Sequence, residues 1–178
     1  MRGQQIVLVS DCEALMVPSG TPVLLPQGTK VVITQALGDS CSIVSGGQLF
    51  RIDGQQTKAL GDAFVPRQPE FNEDDDIEAK AWAWLKTVYD PEIPVCIVDL
   101  GLIYGVAVDE AAESGAAIHV MMTLTSPTCG MGPVLQEEVT RKLYEISGVK
   151  KVTVELTFDP PWQQYMMSDA AKLELGLM

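Results

Sequence analysis

The chain has 178 residues, 47% of them hydrophobic and 20% charged, which is enough apolar material for a folded core and a length for one ordinary domain or two small ones. Twenty-four acidic residues against twelve Lys and Arg leave a formal net charge of −12, with no basic stripe to offset it, so nucleic acid is not an expected partner. The longest apolar runs, such as Ile6–Val9, fall far short of the roughly 20 residues of a membrane helix, and this one is also too short for a signal-peptide core. The expectation is a soluble cytoplasmic protein with no membrane partner.

From Met1 to about Asp62, short apolar runs alternate with turn formers: "IVLVS", "PVLL", "KVVITQA" and "QLFRID" against "PSGT", "PQGT", "LGDS" and "VSGGQ". Gly46-Gly47 between two β-rich runs is a hairpin signal, and nothing here keeps a helical period over a useful length. A small all-β domain is expected over residues 1–64. "VPRQPEFNEDDD", residues 65–76, holds two prolines and five acidic residues and reads as a linker. Its last acids precede "IEAKAWAWLKTVYD", where Ile77, Ala81, Trp84, Leu85 and Val88 recur at helical spacing, so they also serve to cap a helix.

Residues 77–178 are expected to form an α-β-β-α-β domain of the α+β class, with helices on one face of a small mixed sheet. Ile118, Val120, Met122 and Leu124 alternate with His119, Met121 and Thr123, and Val152, Val154, Leu156 and Phe158 with Thr153, Glu155 and Thr157, the period of half-buried strands. Between them Leu135, Val139, Leu143 and Ile146 make a helical stripe closed by Gly148, with Pro133 at the first helical position. A short capped helix is expected from Ser168.

Four cysteines, Cys12, Cys41, Cys96 and Cys129, are far apart and include no C-x-x-C pair, so a zinc ribbon or a thioredoxin-type site has no support. Cys129 differs from the rest. It lies in "TSPTCGMGP", flanked by Thr125, Gly130 and Gly132, in the loop leading into a helix N-terminus. The dipole there lowers a thiol pKa from about 8.5 toward neutrality, favouring the thiolate that attacks or binds metal. A buried residue filling a tight turn is the alternative. The single histidine, His119, sits ten residues upstream on a strand and makes no obvious Cys–His pair. Pro91 and Pro94 bracket Glu92 in "YDPEIPVC", placing Asp90 and Glu92 on a rigid turn as ligands, as acceptors or as local caps. Asp99 reads as a turn residue and Cys96 as a buried thiol.

Four motifs in order, "DPEIPVCIVDLGLIYGV", "MMTLTSPTCGMGP", "ISGVKKVTVELTFDPPW" and "MSDAAKLELG", resemble the SufT-type iron–sulfur assembly family, which includes PaaD and the cytosolic iron–sulfur targeting subunits. "DCEALMVPSGTPVLLPQGT" and "RIDG" extend the resemblance into the first half. It implies a maturation factor, not an enzyme, that works with iron–sulfur assembly components and client apoproteins. The family's signature cysteine falls on Cys129, its Asp-Pro-Glu element on Asp90, Pro91 and Glu92, and its Pro-Pro-Trp element on Pro160, Pro161 and Trp162. Cys96 departs from the polar residue expected of relatives, as a neutral swap or as a second thiol beside the site. The implied cargo is transient iron or an iron–sulfur cluster held through Cys129. A cluster takes four ligands, so homo-oligomerisation, a partner chain or a small thiol would complete the shell. An interaction module without metal and a thiol enzyme using Cys129 as nucleophile are the rival readings.

Overall fold

The computed structural model describes residues 3–66, 68–90, 92–110, 115–126 and 130–177. The chain divides into two compact units, Met1–Gln68 with Pro91–Pro94, and Pro69–Asp90 with Val95–Met178.

In the first unit the apolar runs pair across glycine turns, which satisfies their backbone groups while one side of each strand turns inward. Strands β1 (Gln4–Val7), β2 (Cys12–Met16), β3 (Thr21–Leu25), β4 (Lys30–Leu37), β5 (Ser40–Ser45) and β6 (Gln48–Asp53) form one antiparallel sheet in the order β1-β4-β5-β6-β2-β3. Gly46 and Gly47, at φ of 57° and 82°, supply the left-handed pair that a two-residue hairpin between β5 and β6 requires. One of these strands, β2, is additional to those expected, while β5 is the run expected before the Gly46-Gly47 turn. Their segments "CEALM" and "SCSIVS" hold few large apolar side chains, yet Cys12, Ala14, Cys41 and Ile43 are all buried against Val31, Ile33, Phe50 and Ile52. The unit is also not purely β. Gly54–Ala63 winds into 3-10 turns, a shape that needs no sustained amphipathic period, and buries Thr57, Ala59 and Leu60.

In the second unit α1 (Ile77–Leu85) starts at Asp76, whose Oδ1 accepts from the Ala79 amide at 2.7 Å. Thus the acidic run ends in a helix cap. Strands β7 (Ile103–Asp109), β8 (Ala116–Met122) and β9 (Val149–Leu156) form a mixed sheet in that order, β7–β8 antiparallel and β8–β9 parallel. A parallel pair needs a crossover, and α2 (Gly132–Leu143) provides it. Its stripe of Leu135, Val139 and Leu143, continued by Ile146, is buried, as are Ile118, Val120 and Met122 of β8. Gly148 turns the chain at φ 88°. The short α3 (Asp169–Glu174) is capped by Ser168, whose Oγ accepts from the Ala171 amide at 3.1 Å.

Three local expectations are corrected. Pro133 occupies the second helical position, behind Gly132, where its missing amide is equally harmless because the first helical amides have no internal partner. Thr123, expected on the outward face with His119, is fully buried: β8 ends at Met122, and the Thr123 amide donates to Leu102 O at 2.8 Å. Phe158, expected inward, is 39% exposed because β9 ends two residues earlier.

A buried cation joins the two long helices. Lys142 Nζ donates to Thr87 O at 2.8 Å and Thr87 Oγ1 at 2.9 Å, and lies 3.3 Å from Glu138 Oε1. The Lys142 and Glu138 side chains are 1% and 2% exposed. The amine meets the carbonyl end just past α1, where partial negative charge gathers. Removing one partner of a buried pair costs more than removing both, because the survivor keeps its desolvation penalty. Lys142→Met is therefore expected to lose about 3–5 kcal/mol of stability. Glu138→Leu with Lys142→Met should recover part of the loss, as read from urea midpoints.

Candidate functional site

The segment after α1 closes on itself. Tyr89 bridges to Cys96, the Asp90 amide donates to Val95 O at 3.2 Å, and the Ile97 amide to Val88 O at 2.9 Å. Asp90 is thereby drawn inside, 7% exposed, whereas Glu92 is exposed. Asp90 groups with the second unit and Glu92 with the first.

Cys96 sits at the far side of this closure and is buried. Its Sγ donates to Asp99 Oδ2 at 3.0 Å and accepts from the Asp99 amide at 3.4 Å. Burial above all, and then the thiol's hydrogen bond to the Asp99 carboxylate, push its pKa up to about 12. It is a neutral donor here and not a thiolate. Asp99 is thus more than a turn former, for it holds the thiol.

The turn behind Cys96 is gripped by the C-terminal segment. Trp162 Nε1 donates to Leu100 O at 2.8 Å, the Ser168 amide to Asp99 O at 2.8 Å, and the Tyr104 hydroxyl to Pro160 O at 2.7 Å. A side chain at Gly101, which has φ 72°, would collide with the Met166 carbonyl. The "PPW" element is in this way a clamp on the loop that carries Cys96. Its tryptophan and Gly101 are loop-supporting residues that spacing alone did not identify; the signal for Trp162 was the family resemblance, and Gly101 had none beyond its turn.

Thr125 is half-buried in a bend after β8, and Gly130 is exposed in the turn before α2. Gly132 is buried, and a Cβ there would stand 2.7 Å from Leu124 Cδ1, so a side chain at this position would have to displace the Leu124 tip. Cys129 and Pro91 lie outside the described residues.

The remaining sequence candidates are spread out. Cys12 and Cys41 are buried in the first unit, their pKa values raised to about 11 and about 12, chiefly by that burial. His119 Nε2 lies 3.3 Å from Glu155 Oε2, both side chains well exposed on the sheet. Among the described residues no group of three or more His, Cys, Asp and Glu is gathered as a metal site, and no helix is long and apolar enough to cross a membrane.

A family model described as "Iron-sulfur cluster assembly protein" matches residues 78–156, from α1 to the end of β9. A "Fe-S protein maturation auxiliary factor" of Porphyromonas gingivalis is 49% identical over 94 residues, 53% of this chain and 86% of that one. The chain belongs to the iron–sulfur cluster assembly protein family. The "Fe-S protein maturation auxiliary factor SufT" of Staphylococcus aureus is a further relative, 42% identical over 90 residues, 51% of this chain and 98% of the other. Among solved structures, a "Domain of Unknown Function DUF59" from Bacillus anthracis is similar with a TM-score of 0.51 and 36% identity, covering 57% of this chain and 93% of that one. The family match takes in the Asp90 closure, Cys96, Thr125 and the start of α2, while the six-stranded sheet lies outside it.

With a pKa near 12, the Cys96 thiol is ionised to the order of one part in ten thousand at pH 8. Cys12, Cys41 and Cys96 are accordingly expected to resist iodoacetamide in the native protein at pH 8 and to react once it is unfolded in urea, as mapped by peptide mass spectrometry. Labelling of Cys96 at the pace of a free thiol would contradict its buried, hydrogen-bonded state.

Proposed function

We propose that this chain is a maturation factor for iron–sulfur proteins, working in the cytoplasm with assembly components and client apoproteins, and that Cys129 is the residue that meets the cargo. The relatives' names support the process, and the thiol inventory supports the residue. Three of the four cysteines are buried with raised pKa values, so none of them is set up as the thiolate that iron prefers. Cys129 is the fourth, preceding α2, whose first turn carries no acidic residue to oppose an anion. That single observation carries the assignment.

A cluster takes four ligands, and one available cysteine per chain supplies one of them. The reading is therefore a transient carrier or a targeting adaptor, in which a client, an assembly protein or a small thiol completes the shell. Asp90 and Glu92 are assigned supporting roles, Asp90 drawn into its closed loop and Glu92 exposed. Thr125, Gly130 and Gly132 are assigned supporting roles beside Cys129 in the sequence.

Iron and acid-labile sulfide per chain, measured after anaerobic reconstitution, test the carrier role. Wild type and Cys96→Ala are expected to bind both, and Cys129→Ala neither. Background levels in all three would remove the carrier role and leave the adaptor. In cells, Cys129→Ala is expected to fold normally yet fail to support cluster-dependent enzymes. Full enzyme activity in that strain would remove Cys129 from the mechanism.

A further inference from the structure

A sheet edge is an open row of amides and carbonyls, and proteins that remain single usually blunt it. Among the described residues the two sheets have four edges. Strand β1 is only four residues long, and β3 carries Pro22, which has no amide to offer. The free edge of β9 is occupied from α2 and the turn after it: the Val152 amide donates to the Tyr144 hydroxyl at 3.3 Å, and Gln136 Nε2 donates to Val154 O at 3.2 Å. Exposed Lys150 and Lys151 add charge to that strand.

Strand β7 is different. It runs for seven residues, with neither a charge nor a proline before Asp109. Among the described residues only β8 hydrogen-bonds the backbone of Gly105–Val108. Its irregularity falls at Tyr104, near the C-terminal clamp, and Gly105–Asp109 pairs with β8 without a break. Val106 and Val108 stand opposite Val120 and Ile118, which are fully buried, yet remain half-buried themselves. Gly105, Ala107 and Asp109 share the other face.

We propose that β7 pairs antiparallel with β7 of a second copy of this chain, about a two-fold axis through Ala107, joining two three-stranded sheets into one of six. In this register Val106 of each copy faces Val108 of the other, Ala107 faces its own counterpart, and Asp109 faces Gly105. Four half-buried valines then complete one apolar row, and no like charges oppose each other although each chain carries −12. The end of β8 at Met122 lies level with Ile103, so the axis sends the two β8 exits to opposite sides. Each copy keeps its own loop before α2, and the pairing holds independently of the role given to Cys129.

Sedimentation velocity of the full chain from low to hundred-micromolar concentration tests the pairing. A dimer is expected, tightening as salt screens the net charge, whereas docking of an oppositely charged partner would loosen with salt. Ala107 is exposed, so Ala107→Lys keeps the fold, checked by circular dichroism, while setting Lys against Lys; it should weaken the dimer by at least about tenfold. Ala107→Cys in a Cys129→Ala background should form a disulfide-linked dimer in a glutathione redox buffer, because opposed Cβ atoms in such a pair approach within disulfide reach. A monomer at every concentration, or a dimer indifferent to Ala107→Lys, overturns the proposal.

Discussion

The second unit depends on an amine buried where two helices meet. A lysine is normally solvated, and placing its charge among apolar side chains is tolerable only if all its surroundings accept hydrogen bonds. Lys142 finds a carbonyl, a hydroxyl and a carboxylate within 3.3 Å. Such a set of acceptors exists at one relative placement of α1 and α2, so the interaction specifies more than it stabilises. Thr87 stands just before the Tyr89–Cys96 closure, and the helix that carries Lys142 begins at Gly132. Both stretches lie within the family match and are thereby held to a common frame.

Within that frame, thiol chemistry is sorted by burial. The same element that makes cysteine useful to iron makes it a good small hydrophobe, and which role it takes depends on whether water and cations can reach it. Cys12 and Cys41 fill the sheet core of the first unit, and Cys96 spends its proton on Asp99. These three side chains illustrate why a count of cysteines says little about metal capacity. Desolvation raises the cost of the thiolate so far that each is held in its neutral form.

The C-terminal segment holds the Cys96 loop from a distance along the chain. Trp162, the Met166 carbonyl and the Ser168 amide converge on three consecutive residues, Asp99 to Gly101. Gly101 is needed there both for its positive φ and for the room it leaves. A proline-rich turn that delivers an indole to a backbone carbonyl is a structural clamp, and its residues keep the Cys96 loop closed from more than sixty positions away in the chain, as the separation of 62 between Leu100 and Trp162 shows.

Much of the local structure was legible from sequence because its causes are local. The stripe of Leu135, Val139 and Leu143, the Gly46-Gly47 hairpin, and the caps at Asp76 and Ser168 depend on side chains within a few positions of one another. The family resemblance was legible for the same reason. What required tertiary structure was every property set by distant partners. Strand β2 exists through ladders to β3 and β6, not through its own apolar content. Thr123 is buried because β8 stops where Leu102 takes its amide, and Lys142 is buried because Thr87, 55 residues earlier, offers two acceptors. Sequence by itself determined which residues could carry chemistry; only the folded chain decided which thiols are silenced, because desolvation comes from atoms that linear spacing does not bring together.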